Sequence, residues 1–276
     1  MHADFVSRNG EILPLDQAQI PLSNIQFTYG FGVYENIRVV RGRGIFLEEH
    51  LQRLLHSADT IGLLHTLTIE RMSEWIDALL RKIDADSCNL KLLLIGGNTA
   101  QEASLWILPL APLFTDKKLF RDGVAVISIH HERFLPSAKT LNMLPSYLFY
   151  RKAKEAKCYD ALLVDRNECI TEGTRTNILA MKGRTIISPP AKDILEGVMR
   201  SHVLAVAKKN GCNIVEAEIH MAEIATYDGF FLTSTSSKIL PINKIDDTII
   251  LIPEVLRELM KIFDEYLEEA YATQKG

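Results

Sequence analysis

The 276-residue chain has no excess of basic residues: 31 Lys and Arg stand against 35 Asp and Glu, for a formal charge of −4. No basic field is available to meet phosphates, which argues against nucleic acid as a partner. Cysteine is scarce. Cys88, Cys158, Cys169 and Cys212 are widely spaced and form no CxxC pair, so neither a disulfide frame nor a metal site is expected from spacing, and buried thiols in a reducing compartment are. No apolar run is long enough to span a bilayer, and the opening MHADFVSRNGEIL has no apolar core of the signal-peptide type. A cytoplasmic protein without membrane contact is the expectation. Internal repeats and low-complexity tracts are missing as well. What remains is 47% hydrophobic and 24% charged, the balance of a globular chain able to bury one large core or two of ordinary size.

Strand-like and helical patterns are interspersed. Residues 36–47, NIRVVRGRGIFL, read as a hairpin around Gly42 and Gly44. Leu51, Leu54, Leu55, Ala58 and Ile61 then recur at helical spacing, and Ile69, Met72, Ile76, Leu79, Leu80 and Ile83 mark a second helix. LKLLLI and SLWILPL suggest paired strands separated by GGNTAQEA. This first part, 1–112, reads as a small α+β domain, and 113–133, with its charge clusters and proline, as a linker or lip. Residues 134–276 form the larger expected domain. Short β-like runs there (DALLVD, TNILAM, TIIS, NIVEAEI, GFFLTS), joined by VAVISIH just before them, predict a closed or strongly curved sheet flanked by helices.

Four places have unusual local chemistry. Lys139 precedes an amphipathic helix opening at Pro145, and it reads either as a solvated charge or as a Schiff-base lysine held by apolar neighbours. Glu172 sits in ITEGTRTN beside a glycine and two threonines. Gly197 precedes a helix whose first amides, at Val198 and Met199, can hold a phosphate. Hydroxyls run from Thr233 to Ser237 at a strand end, the composition of a phosphate cup or of a polar turn.

The order of these features is more specific than any one of them. An arginine in a helix after a hairpin, then Lys-x-Leu-Asn, Thr-Glu-Gly with Asn five residues beyond the Glu, Leu-x-Gly-x-x-Arg and Thr-Ser-Thr: the succession resembles the fold-type IV pyridoxal-phosphate enzymes. That family contains the branched-chain and D-amino-acid aminotransferases and 4-amino-4-deoxychorismate lyase. The resemblance implies a two-lobed fold, pyridoxal 5'-phosphate as cofactor, a small amino substrate and a homodimer. It puts Lys139 where the family links covalently to its cofactor and moves a proton at the substrate α-carbon. Glu172 stands where an acid meets the pyridine nitrogen, Arg53 where the cofactor phosphate is bound, and Leu195 where an apolar side chain packs on the ring. Val198, Met199, Thr235 and Ser236 correspond to the phosphate cup, and Tyr34 to an aromatic lining the substrate pocket.

The sequence departs from patterns within the family in three places. GDG is replaced by GFG, with Phe31 for the acid, and the turn after LKLLLI reads GGNTA where D-amino-acid aminotransferases and many lyases carry a carboxylate-binding Arg-Gly. Lys91 or Arg38 would then have to meet a substrate carboxylate. KTLNML also differs from the KxGGNY of branched-chain enzymes. The reading leans to the lyase, which releases pyruvate and leaves 4-aminobenzoate for folate synthesis. An aminotransferase of D- or branched-chain amino acids is the alternative, and a non-catalytic binding protein a more remote one.

Overall fold

The computed structural model describes residues 4–21, 23–112 and 114–273. The chain divides into two units. One holds the described residues up to 112 with 138–142 and the chain end from 270, and the other holds 114–137 and 143–269.

The first unit runs β1 (Phe5–Arg8), β2 (Glu11–Pro14), α1 (Ile25–Thr28), β3 (Gly32–Val40), β4 (Arg43–Gly44), α2 (Leu47–Thr60), α3 (Ile69–Ile83), β5 (Ser87–Ile95) and β6 (Ser104–Leu110). Its strands form one antiparallel sheet in the order β2-β1-β6-β5-β3-β4. Period-2 patterning decides which side chains go inside. Val33, Ile37 and Val39 of β3 and Leu90, Leu92 and Leu94 of β5 pack with Leu51, Leu54 and Ala58 of α2 and Met72, Ile76 and Leu79 of α3. Full burial of such side chains is worth about 1.5–3 kcal/mol each. The expected hairpin and both expected helical faces are present. α3 is also well terminated: Thr68 accepts a hydrogen bond from the Arg71 amide, Glu70 lies in the first turn, and Arg81 and Lys82 lie in the last. Late in the sequence, residues 138–142 return to the outer edge of β3. The Tyr34 amide donates to the Lys139 carbonyl at 2.9 Å, and the Leu141 amide donates to the Gly32 carbonyl at 2.9 Å.

The second unit runs α4 (Lys117–Asp122), β7 (Val124–His130), α5 (Leu144–Glu155), β8 (Asp160–Val164), β9 (Ile170–Gly173), β10 (Asn177–Lys182), β11 (Thr185–Ser188), α6 (Val198–Lys209), β12 (Asn213–Glu216), β13 (Gly229–Ser234), β14 (Lys238–Ile245), β15 (Thr248–Ile249) and α7 (Glu254–Thr273). Six strands form a closed, barrel-like ring, β10-β13-β14-β7-β8-β9 and back to β10, while β11 and β12 extend from β10. The ring closes through one residue pair, Asn177 opposite Glu172. All five residues of β8 are buried, which is why DALLV shows no alternation. Residues 113–133, expected as a linker, hold α4 and β7, with Leu113 outside the described residues. β7 pairs in parallel with both β8 and β14, so the VAVISIH part of this segment is a strand of the ring, in keeping with its β-like pattern.

Candidate active site

Lys139 is carried by the strand-like segment at the edge of β3. Its backbone amide donates to Ser57 Oγ of α2 at 3.1 Å, and its half-buried ammonium lies 4.4 Å from the Tyr34 ring centroid. A cation over an aromatic face gains electrostatically while losing water. Lys91 Nζ approaches the same ring at 5.8 Å. The register sets Tyr34 opposite Leu93, Asn36 opposite Lys91 and Arg38 opposite Asn89. Tyr34, Arg38 and Lys91 therefore share the face of the sheet turned away from the α2–α3 core, which also carries Lys139's aromatic neighbour.

Beneath that face lies a charge cluster that sequence reasoning missed. Glu35 is fully buried, and Arg53 of α2 clamps it from Nε at 2.6 Å and Nη2 at 2.9 Å, while His50 Nδ1 lies 2.9 Å from Oε2. Burial alone would raise the carboxyl, but Arg53 and His50 outweigh it and hold Glu35 well below the usual carboxylate range. His50 and Arg53 are three positions apart and so share one helix face. The signal was available: β3 alternates Val33, Glu35, Ile37, Val39 inward, and an acid at a core position requires a cation.

The two departures in the first unit turn out to be one packing solution. A Cβ at Gly96 would lie 2.5 Å from the Phe31 ring, and the Gly96 amide donates to the Phe31 carbonyl at 3.0 Å. With Phe31 in place, a side chain at position 96 would run into its ring. Asn98 is tied into the turn by Glu102 Oε2 at 2.8 Å and by Gln26 at 2.7 Å.

In the second unit, Glu172 lies near the end of β9, almost fully buried. Arg133 Nη1 donates to its Oε1 at 2.7 Å, and the Leu195 amide donates to Oε2 at 3.2 Å. The Leu195 carbonyl accepts from Asn177 Nδ2 at 2.7 Å, so the expected ring-packing leucine and the expected acid are parts of one bonded loop. A Cβ at Gly197 would run into Asn177 Oδ1, which explains the glycine at a position with φ of −69°. Arg133 gave no signal in the sequence, because its partner lies 39 positions away. Behind β9, the buried Asp160 accepts from the Thr174 and Thr176 hydroxyls and the Ala161 amide. Burial raises its carboxyl against those bonds.

The residues fit an anionic cofactor of this kind. Gly197 caps α6 with no side-chain hydrogen bond, leaving the helix N-terminus without a capping side chain at Val198 and Met199. Thr233 Oγ1 is buried with no hydrogen-bond partner at the end of β13, where a ligand oxygen would satisfy it. Thr235 and Ser236 occupy the following turn, with Ser236 Oγ 3.2 Å from Ser234 Oγ.

The family model for amino-transferase class IV matches residues 32–245. A putative branched-chain-amino-acid aminotransferase of Methanocaldococcus jannaschii is 28% identical over 276 residues, covering 93% of this chain and 94% of that protein. A D-alanine aminotransferase of Bacillus licheniformis is 28% identical over 247 residues, covering 86% and 87%. Among solved structures, the branched-chain aminotransferase of the thermophilic archaeon Thermoproteus uzoniensis with norvaline superposes with a TM-score of 0.86 at 23% identity, covering 98% and 96%. The 4-amino-4-deoxychorismate lyase of Pseudomonas aeruginosa gives 0.83 at 21%, covering 94% and 98%, so the two chemistries share this fold. Matched across most of its length by the family model, the chain belongs to the class IV aminotransferases, enzymes that depend on pyridoxal phosphate.

Proposed function

We propose that the chain is an aminotransferase of small α-amino acids, acting with pyridoxal 5'-phosphate in the cytoplasm as a homodimer. The observation that carries the reading is the shared sheet face on which Lys91 and Arg38 accompany Tyr34, whose ring also meets the Lys139 ammonium. A cation at Lys91, approaching the same ring as Lys139, with Arg38 farther along the face, suits a substrate with a carboxylate next to its amino group. Bound pyridoxal phosphate supplies an electron-withdrawing ring that stabilises negative charge at the substrate α-carbon. Lys139 takes and returns the proton at that carbon. Glu172, oriented by Arg133 and Leu195, keeps its carboxylate for the pyridine nitrogen, and Leu195 packs on the ring. Val198, Met199, Thr235, Ser236 and Arg53 receive the phosphate. The similarity to proteins named as D-alanine and branched-chain aminotransferases favours transfer over elimination. Exposed Leu144, Tyr147 and Leu148 on α5 support a second copy as partner.

The lyase is the second reading, favoured by the resemblance of NLKLLLI to the lyase strand. One experiment separates the two. Purified enzyme loaded with pyridoxal phosphate is given L- and D-alanine and branched-chain amino acids with 2-oxoglutarate, and in a second vessel aminodeoxychorismate, with products read by mass. Glutamate and the matching 2-oxo acid are expected. Pyruvate and 4-aminobenzoate from the second vessel, with no transfer in the first, overturn the proposal.

A further inference from the structure

On the second unit, three side chains outside the residues assigned above converge. Cys169, the last residue before β9, is buried, and its Sγ lies 3.3 Å from His220 Nδ1 and 3.8 Å from Nε2. His220 Nε2 in turn lies 3.5 Å from Glu218 Oε2. One ligand atom from each residue can be chosen so that all three lie within 4.8 Å of one another. We propose that Cys169, Glu218 and His220 bind a thiophilic divalent cation, zinc by preference, with water from the exposed side as fourth ligand.

The backbone holds the group in place. Cys169 and His220 form an isolated antiparallel bridge, the Ile170 amide donates to the Ile219 carbonyl at 2.8 Å, and the Met221 amide donates to the Glu168 carbonyl at 2.9 Å. Asp165 Oδ1 accepts from the Asn167 and Cys169 amides at 2.9 and 2.8 Å, which fixes the turn leading into Cys169. Ligands ~2.0–2.3 Å from a tetrahedral zinc ion stand roughly 3.3–3.6 Å apart. Two of the observed spacings, 3.8 and 3.5 Å, are near that range, and Glu218, half exposed, has freedom to close the third. Charge balances: the ion takes a thiolate, a carboxylate and a neutral imidazole, and the thiol proton leaves to solvent. Asp165 and Asp193 add negative field around the sulfur. A residue spacing of 169, 218 and 220 matches no zinc motif, so sequence reading expected no metal here.

The cation would staple the 218–220 segment to the strand that carries Glu172 three residues later. The test uses tag-free holoenzyme titrated with Co²⁺ and, in competition, Zn²⁺. One cobalt per chain with a thiolate-to-cobalt charge-transfer band is expected, retained in Cys158→Ser and displaced by zinc. Outer-shell partners of metals are worth ~10–100-fold in affinity, so losing a direct ligand in Cys169→Ser or His220→Ala should weaken binding by about 100-fold or more. His220 lies at the half-exposed end of the group, and its removal tests the site even if Cys169→Ser fails to fold. Absence of the thiolate band, or a band that survives His220→Ala, overturns the proposal and leaves a simple thiol–imidazole contact.

Discussion

Glu35→Gln removes the anion from the buried cluster while keeping its shape. The wild-type carboxylate accepts two charge-assisted bonds from Arg53, at 2.6 and 2.9 Å, and one contact from His50 at 2.9 Å. Glutamine keeps one acceptor oxygen but turns an amide donor toward a guanidinium that donates only. Breaking a buried ion pair costs about 3–5 kcal/mol. Arg53 retains 12% exposure, so water relieves part of its stranded charge and the lower end, ~3 kcal/mol, applies. With an unfolding entropy of ~2.1 cal/mol/K per residue over 276 residues, that is a fall in Tm of about 5 °C. The pH dependence follows from the direction of the shift. Folded Glu35 titrates below its ordinary 4.5, so its contribution is fully present above pH 4.5 and is lost as pH falls through the folded value. Wild type and variant should therefore differ by a constant amount from pH 7 to 5 and converge in stronger acid, measured by thermal and urea unfolding. A Tm change under about 1 °C at pH 7, or a gap that widens in acid, refutes the pairing.

Borohydride reduction of enzyme loaded with pyridoxal phosphate should fix the cofactor to the peptide containing Lys139, and labelling of another lysine moves the reactive amine elsewhere. Glu172→Gln should lower turnover on the order of 100-fold while changing cofactor affinity much less, because its carboxylate matters chiefly when charge builds in the ring; unchanged turnover removes Glu172 from that role. Lys91→Met or Arg38→Met should raise KM for the true substrate by roughly 10-fold. If neither does, the carboxylate is held by other groups. Gly197→Ala should destabilise the second unit by ~1–3 kcal/mol, because its Cβ displaces Asn177 from the Leu195 carbonyl. Full stability in urea would show that the loop tolerates the shift.

Periodicity carries far in this chain where one face of an element is buried. The two longer helices of the first unit, α2 and α3, and the alternation of β5 follow directly from spacing. Patterning marked VAVISIH as β-like, but its place in the ring rests on its parallel pairing with β8 and β14, which spacing does not show. The site residues show the same division. Ordered motifs brought out Lys139, Glu172 and Gly197, each beside a local turn or cap. The groups that orient them were not legible: Arg133 reaches Glu172 across 39 positions, and Ser57 reaches the Lys139 amide across 82. Arg53, lying off the apolar stripe of its helix, reads as a surface or phosphate-binding residue, and its ion pair with the buried Glu35 was not legible from that position.

The return of residues 138–142 to β3 bears on synthesis at the ribosome. When residue 112 has emerged, every named strand of the first sheet exists, yet the outer edge of β3 at Gly32 and Tyr34 has an unmet carbonyl and amide. Their partners, Lys139 and Leu141, lie about a hundred residues beyond them in the chain, after α4 and β7, so the contact carries the loop-closure delay of a long-range pairing. A fragment ending at 112 would expose a strand edge open to other chains. It would also lack the lysine. Cutting this protein after residue 112 therefore separates Lys139 from the sheet that holds it, and only a chain translated past residue 142 can complete that edge.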